Sequence, residues 1–395
     1  MRTDFYNAVF GFTLEEPPTR WMHRLTAVAV AAVLTACGSG SDVTALKVAG
    51  DSLADAGTFG FKFTVQGATL AQTRIWVDHV ADAVDVSPLC PRYTATGPNA
   101  VAANPAAAHC TSHAVGGARI NVAGTAGDST PLSIQQQLRD LGATAYGDRD
   151  VLLVVGGGND AADLIGAYLG ASADGGAAYV ALLGELLSPA QVAQAAAGGN
   201  AGLAQAGGLY MAALADQLAD TLQAQALAKG AKRVVVLNAP DVTRTPRFLA
   251  LLAAVAQSSG GGATGAAMAE QIATTARAWV SAYNSRLAQR FATESRVAVV
   301  DFFGALNQWL ASPATYGLTN TTSPACPATG TDARGLPTYS IQTCTEASLT
   351  AAAPAGAGAG WWNSYVFSDN FHGTPRTNAL MGNLVNDTLR ARGWM

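Results

Sequence analysis

Three short runs constrain this chain more than anything else in it. Asp150-Val-Leu-Leu-Val-Val155, Arg233-Val-Val-Val-Leu237 and Arg296-Val-Ala-Val-Val300 are continuous apolar stretches bounded by turn signals. A strand with one wet face alternates apolar and polar residues. A run that is apolar at nearly every position belongs to a strand buried on both faces, as in a parallel sheet covered by helices. Long alanine-rich stretches with helical character lie between the runs, near 205–229 and 266–292. Helices are also expected over 71–84, where Leu70, Ile75, Trp76, Val80 and Val84 fall at helical spacing, over Ile134–Leu141, and over 376–392 as a closing element. Strands alternating with helices predict an α/β fold with a central parallel sheet. Ala45-Leu46-Lys47-Val48-Ala49 is a further, shorter strand signal ahead of these.

The remaining stretches are less specific. The Ala/Gly tracts at 171–208 and 258–265 suggest only small-residue packing and flexible connection. Residues 86–130 and 313–360 read as long loops, and loops of that length in a compact domain are usually functional, so both are expected to shape a substrate pocket. No internal repeat or domain boundary stands out, and 395 residues with 49% hydrophobic content can bury one large core. Residues 43–395 are therefore expected to form a single domain. The net charge of -4 argues against a nucleic-acid partner, which would need a basic face to neutralise phosphates. There is neither a Gly-rich phosphate loop followed by Lys-Ser/Thr nor a Cys-x-x-Cys metal pattern.

The strand signal at 45–49 runs into Gly50-Asp51-Ser52-Leu53. A serine at a glycine-flanked turn after a strand is a common way to present a hydroxyl nucleophile at the end of a sheet. Such a hydroxyl needs a base, and histidine is the usual one because its pKa lies near working pH. Downstream of residue 36 the histidines are His79, His109, His113 and His372. His79 sits in an amphipathic helix signal and reads as a surface side chain, and His109 adjoins Cys110 in a loop. His113 opens Ala114-Val115-Gly116-Gly117 without an acid nearby. His372 follows Asp369 by three residues, a spacing that in a tight turn lets the carboxylate reach the imidazole and fix its tautomer. A metal cluster of Asp51, Asp55, Asp160, Asp369 and His372 is conceivable, but nothing in their spacing requires it.

Gly50-Asp51-Ser52-Leu53, Gly157-Gly158-Asn159-Asp160 after a strand, Asn238-x-Pro240-Asp241 through Thr245-Pro246, and the terminal Asp369-x-x-His372 occur in that order. Together they resemble the blocks of the GDSL, or SGNH, hydrolases, from residue 48 to residue 376, nearly the whole chain beyond the expected signal segment. The one departure is His372-Gly373-Thr374-Pro375, where many members continue His-Pro-Thr. The resemblance implies a three-layer, flavodoxin-like α/β fold and a serine esterase or lipase that needs no metal or cofactor. It implies Ser52 as nucleophile, His372 as base and Asp369 as its orienting acid. The oxyanion donors would be the Ser52 N–H, the Asn159 side chain and the Gly117 N–H, with Gly116 the near alternative. Asn159 could instead cap the following helix, and Asp160 reads as structural. The partner is then an ester substrate. The family also includes deacetylases of acetylated polysaccharide or cell-wall sugars, and a non-catalytic binding protein could use the same fold. Trp361-Trp362, near the Asp369–His372 block, could belong to a sugar site or to the core.

At the N-terminus, His23-Arg24 precedes the uncharged run Leu25–Ala36, which has signal-peptide length and falls short of the ~20 residues that span a bilayer. Leu34-Thr35-Ala36-Cys37 resembles a bacterial lipobox, making 1–36 a signal peptide, Cys37 the lipidated residue and 37–42 a tether. An ordinary secretory signal is the alternative. Glu15 and Glu16 do not suit the start of such a signal; Met22 is the more natural start, and residues 1–21 then read as a mis-assigned extension. The expected location is the cell envelope, with Gly38 favouring the outer membrane in a Gram-negative host; secreted or periplasmic is the alternative. An exported protein meets oxidising conditions, so Cys90, Cys110, Cys326 and Cys344 are expected to form two disulfides. Four cysteines allow three pairings, and proximity favours Cys90 with Cys110 and Cys326 with Cys344.

Overall fold

The apolar runs form one four-stranded parallel sheet in the computed structural model, which describes residues 41–97, 100–122 and 127–395. The signal segment 1–36 and Cys37 lie outside the described residues. The strands are Ala45–Ala49, Asp150–Val155, Arg233–Leu237 and Val297–Val300, adjacent in that order. The sheet extends by one step beyond the first strand. Val48 donates to Thr111 O at 3.0 Å and accepts from His113 N at 2.7 Å, forming a parallel bridge with Ser112. The Thr111–His113 segment therefore occupies the place of a second strand in the flavodoxin-like order 2-1-3-4-5, reduced to a single bridge.

Alternate strand residues face opposite layers, as a two-residue period requires. Val151, Leu153, Val155, Val235 and Leu237 join a core cluster with helices Trp76–Ala83, Phe302–Ala311 and Pro375–Ala391. Leu152, Val154, Val234 and Val236 join the opposite cluster, built on helices Ile134–Leu141, Gly199–Gln225 and Gly262–Arg290 among others. That is the expected three-layer α/β architecture.

The tract 171–208 is not a flexible connection. It is almost wholly helical, through Gly158–Asp174, Ala177–Leu186, Pro189–Ala197 and the start of Gly199–Gln225. Alanine has the best intrinsic helix propensity, and the punctuation is local. Gly175 and Gly176 take positive φ between two helices, and Ser188 caps the next one ahead of Pro189. The tract 258–265 likewise ends one helix and begins the next at Gly262. The two long loops are partly structured. The first contains a ribbon of Tyr93–Gly97 with Ala100–Ala103, and the second contributes Asn320–Pro324, which pairs with Tyr365–Phe367. Both disulfides are the local ones, Cys90–Cys110 and Cys326–Cys344.

Candidate active site

The carboxyl end of the first strand turns sharply at Gly50. A Cβ there would lie 2.7 Å from Val155 O on the neighbouring strand, so only glycine lets the two chains pass. The Gly50 N–H donates to Gln137 Oε1 at 2.7 Å. Asp51 Oδ1 then accepts from Leu53 N at 3.0 Å, which holds the turn around Ser52. This is the switch point of the sheet, where neighbouring connections leave in opposite directions and open α/β folds bind ligands.

The turn after Tyr365–Phe367 brings His372 to Ser52. His372 Nε2 lies 2.8 Å from Ser52 Oγ, and His372 Nδ1 lies 2.8 Å from Asp369 Oδ2. Asp369 Oδ1 also accepts from the backbone N–H groups of Phe371 and His372, at 2.9 and 2.8 Å. The three-residue spacing thus closes a tight loop around one carboxylate. Ser368 N donates to His372 O at 2.7 Å across its neck, and the displaced proline enters the helix at Pro375 without disturbing the pair. Burial works against the charged form of His372, but the charge and hydrogen bond of Asp369 outweigh it and raise its pKa above 6.5. Burial also works against ionised Asp369; the His372 charge and hydrogen bond and the two N–H groups hold its pKa below the ordinary value. Burial pushes Asp51 up to about 6, against the opposing Leu53 N–H.

The other histidines are elsewhere. His113 is buried with Nδ1 3.3 Å from Tyr93 Oη, and burial lowers its pKa to about 4. His109 is exposed beside the Cys90–Cys110 disulfide, and His79 packs against Gly382. Of the groups weighed for a metal cluster, Asp55 and Asp160 face other partners. Asp55 accepts from the N–H groups of Gly57, Thr58 and Gly116, and Asp160 from those of Ile120 and Asn121.

Asp55 also separates the two glycine alternatives. The Gly116 N–H donates to Asp55 Oδ2 at 2.8 Å and is occupied. Gly117 has φ +80°, a conformation suited to glycine, and its carbonyl accepts from Arg119 Nη1 at 2.6 Å. Neither its N–H nor that of Ser52 meets an acceptor among the described residues. Asn159 lies in the first turn of helix Gly158–Asp174, whose N-cap is Gly157, so it is not the cap. Its Nδ2 donates to Ala118 O at 2.9 Å, and an amide nitrogen carries a second N–H. Ser52, Gly117, Asn159 and His372 all line one cavity of about 370 Å³, and a helix N-terminus faces the same space.

Several lining residues carried no signal in the sequence. The Phe63 ring packs 4.9 Å from that of His372, on a loop anchored by the buried Lys62–Asp78 pair at 2.8 Å. Phe371 is exposed at the rim, while Phe302, Leu306, Phe367 and Met381 lie deeper. The loop 86–130 supplies Gly116 and Gly117, but 313–360 supplies no lining residue. Its apolar residues pack into a separate small cluster with Val65 and Trp362, which also accounts for the Trp361-Trp362 pair. The Asn238–Pro246 block does reach the cavity, through Pro240, Val242 and Thr245, while Asn238 braces Phe303 N at 2.8 Å.

The sheet thus presents a serine, a histidine and an aspartate in hydrogen-bonded series at its switch point, an arrangement suited to hydrolytic chemistry. The family model for the GDSL-like lipase/acylhydrolases matches residues 47–385, and the chain belongs to that family. Membership supports hydrolysis of acyl esters. A comparison with the curated proteins returned no match.

Proposed function

We propose that the protein is a serine esterase or lipase in which Ser52, His372 and Asp369 act as a triad. The observation that carries this reading is the continuous 2.8 Å contact series from Ser52 Oγ through the His372 ring to Asp369. Ser52 Oγ attacks the ester carbonyl carbon as its proton passes to His372 Nε2. The oxyanion is met by the N–H groups of Ser52 and Gly117 and by the Asn159 amide. As the tetrahedral intermediate collapses, the carbon–oxygen bond to the alcohol breaks and His372 returns the proton to the departing oxygen. Water then gives a proton to His372 and attacks the acyl-Ser52 ester, releasing the acid and restoring the hydroxyl. Ser52→Ala in the folded protein should abolish hydrolysis of p-nitrophenyl butyrate; undiminished activity would reject the assignment.

The raised pKa of His372 has a consequence for pH. The base works only when neutral, so kcat/KM should climb with pH through an apparent pKa above 6.5 and level off beyond it. Asp369→Asn removes the charge that raises His372, so that limb should move to lower pH while the rate falls. A p-nitrophenyl ester assayed between about pH 5 and 9 reads both effects. An unshifted limb in the Asp369→Asn variant counts against the assignment.

We also propose export, with a lipid anchor at Cys37. The uncharged run Leu25–Ala36 supports it, as do two disulfides of the kind that persist in oxidising compartments. Mass spectrometry of the protein from its native envelope should find a diacylglyceryl group on Cys37; an unmodified Cys37 would remove the anchor.

A further inference from the structure

The cavity at Ser52 is much larger than an acetyl group needs, and its character changes along its length. At one end stand Asp51, Ser52, Asn159 and His372. The rest of the lining is mostly apolar and includes Leu53, Phe302, Leu306, Phe367 and Met381, the last four no more than 4% exposed and all part of the core under that face of the sheet. The two hydroxyls in this wall are turned away from the space. Thr245 Oγ1 donates to Val242 O, and Thr377 Oγ1 to Val366 O, each at 2.7 Å. Native cores fill such space with side chains, and this one does not.

Resting on Ser52 as nucleophile, the geometry points to a slot for a medium-chain acyl group of about eight to twelve carbons, closed at its far end by Phe302 and Leu306. The sheet sets the length. Ser52 follows the first strand, Asn159 the second, Pro240 and Val242 the third, and Phe302 the fourth, with Leu306 one helical turn on. The lining therefore crosses the carboxyl ends of all four strands, three inter-strand steps of ~4.8 Å, or about 14 Å. A staggered alkyl chain with bonds of ~1.5 Å advances roughly 1.3 Å per carbon, so about eleven carbons fill the slot. A sugar ring in the same space would leave its hydroxyls without partners. The alcohol portion belongs at the opposite end, beside Phe63 and the exposed Phe371.

The test is the ratio of kcat/KM for p-nitrophenyl decanoate to that for p-nitrophenyl acetate, which does not depend on how much enzyme is folded. In the native protein the ratio should be at least about 100, since each buried methylene contributes up to roughly fourfold. Leu306→Trp should lower it at least tenfold by blocking the slot. Leu306→Ala, which opens the far end, should move the optimum to acyl chains one or two carbons longer. A native ratio near or below one overturns the slot, as does a ratio that neither variant changes. Those results would leave the esterase reading intact as long as Ser52→Ala abolishes acetate hydrolysis. Acetate hydrolysis that survives Ser52→Ala would instead reject the nucleophile.

Discussion

Ser52→Ala, His372→Ala and the double variant are each expected to lose on the order of 10⁶ in kcat, the double losing no more than either single. In the proposed mechanism the two residues perform one act. The hydroxyl is a nucleophile only while His372 Nε2, 2.8 Å away, can take its proton, and the imidazole has nothing to deprotonate without the hydroxyl. Removing either removes the whole step, and the remaining catalysis comes from the oxyanion donors and binding. Asp369→Asn should be milder, roughly 10⁴, because it misorients the ring without deleting it. Single-turnover rates on one p-nitrophenyl ester measure all four variants. Additive losses in the double variant would mean that Ser52 and His372 act separately. Folding controls are straightforward for Ser52→Ala, which removes one oxygen and leaves the Asp51–Leu53 bond of the turn in place.

Asn159→Ala should cost 10²–10³ in kcat with KM nearly unchanged. The amide is already tied to Ala118 O at 2.9 Å, so its position is fixed before substrate arrives. Preorganised donors of this kind act on charge that develops only in the transition state, and their loss is worth about 2.7–4 kcal/mol of barrier. The helix N-terminus behind Asn159 adds a field of the same sign. If Asn159 merely clamps the Ala118 loop, the variant will melt earlier and keep its kcat. A rise in KM at constant kcat would mean that the amide binds substrate and transition state equally.

The parts of the fold that were legible in the sequence have short-range causes. Strands such as Asp150–Val155 announce themselves because both faces are buried, leaving no polar alternation. The helices at 177–186 and 189–197 were hidden because their alanine and glycine content also suits a linker; the deciding signals were Gly175-Gly176 and Ser188-Pro189. At the site, Asp369 and His372 were legible because one tight loop carries both, and the disulfides because each joins neighbouring segments. The difference between Gly116 and Gly117 rests on Asp55, whose bond to Gly116 spans 61 residues. Phe63, Leu306 and Met381 were invisible as site residues. Apolar side chains carry no mark that distinguishes a cavity wall from a core, and only the packing of three separate elements brings them together.

In the proposed mechanism Ser52 carries the acyl group. Acid-quenching the protein during turnover of a p-nitrophenyl ester, followed by peptide mass spectrometry, tests it directly. An added acyl mass is expected on the peptide containing Ser52, absent in Ser52→Ala. Ester hydrolysis with no acyl adduct in Asp369→Asn, where the intermediate should be trapped most readily, or an adduct on another residue, would contradict it.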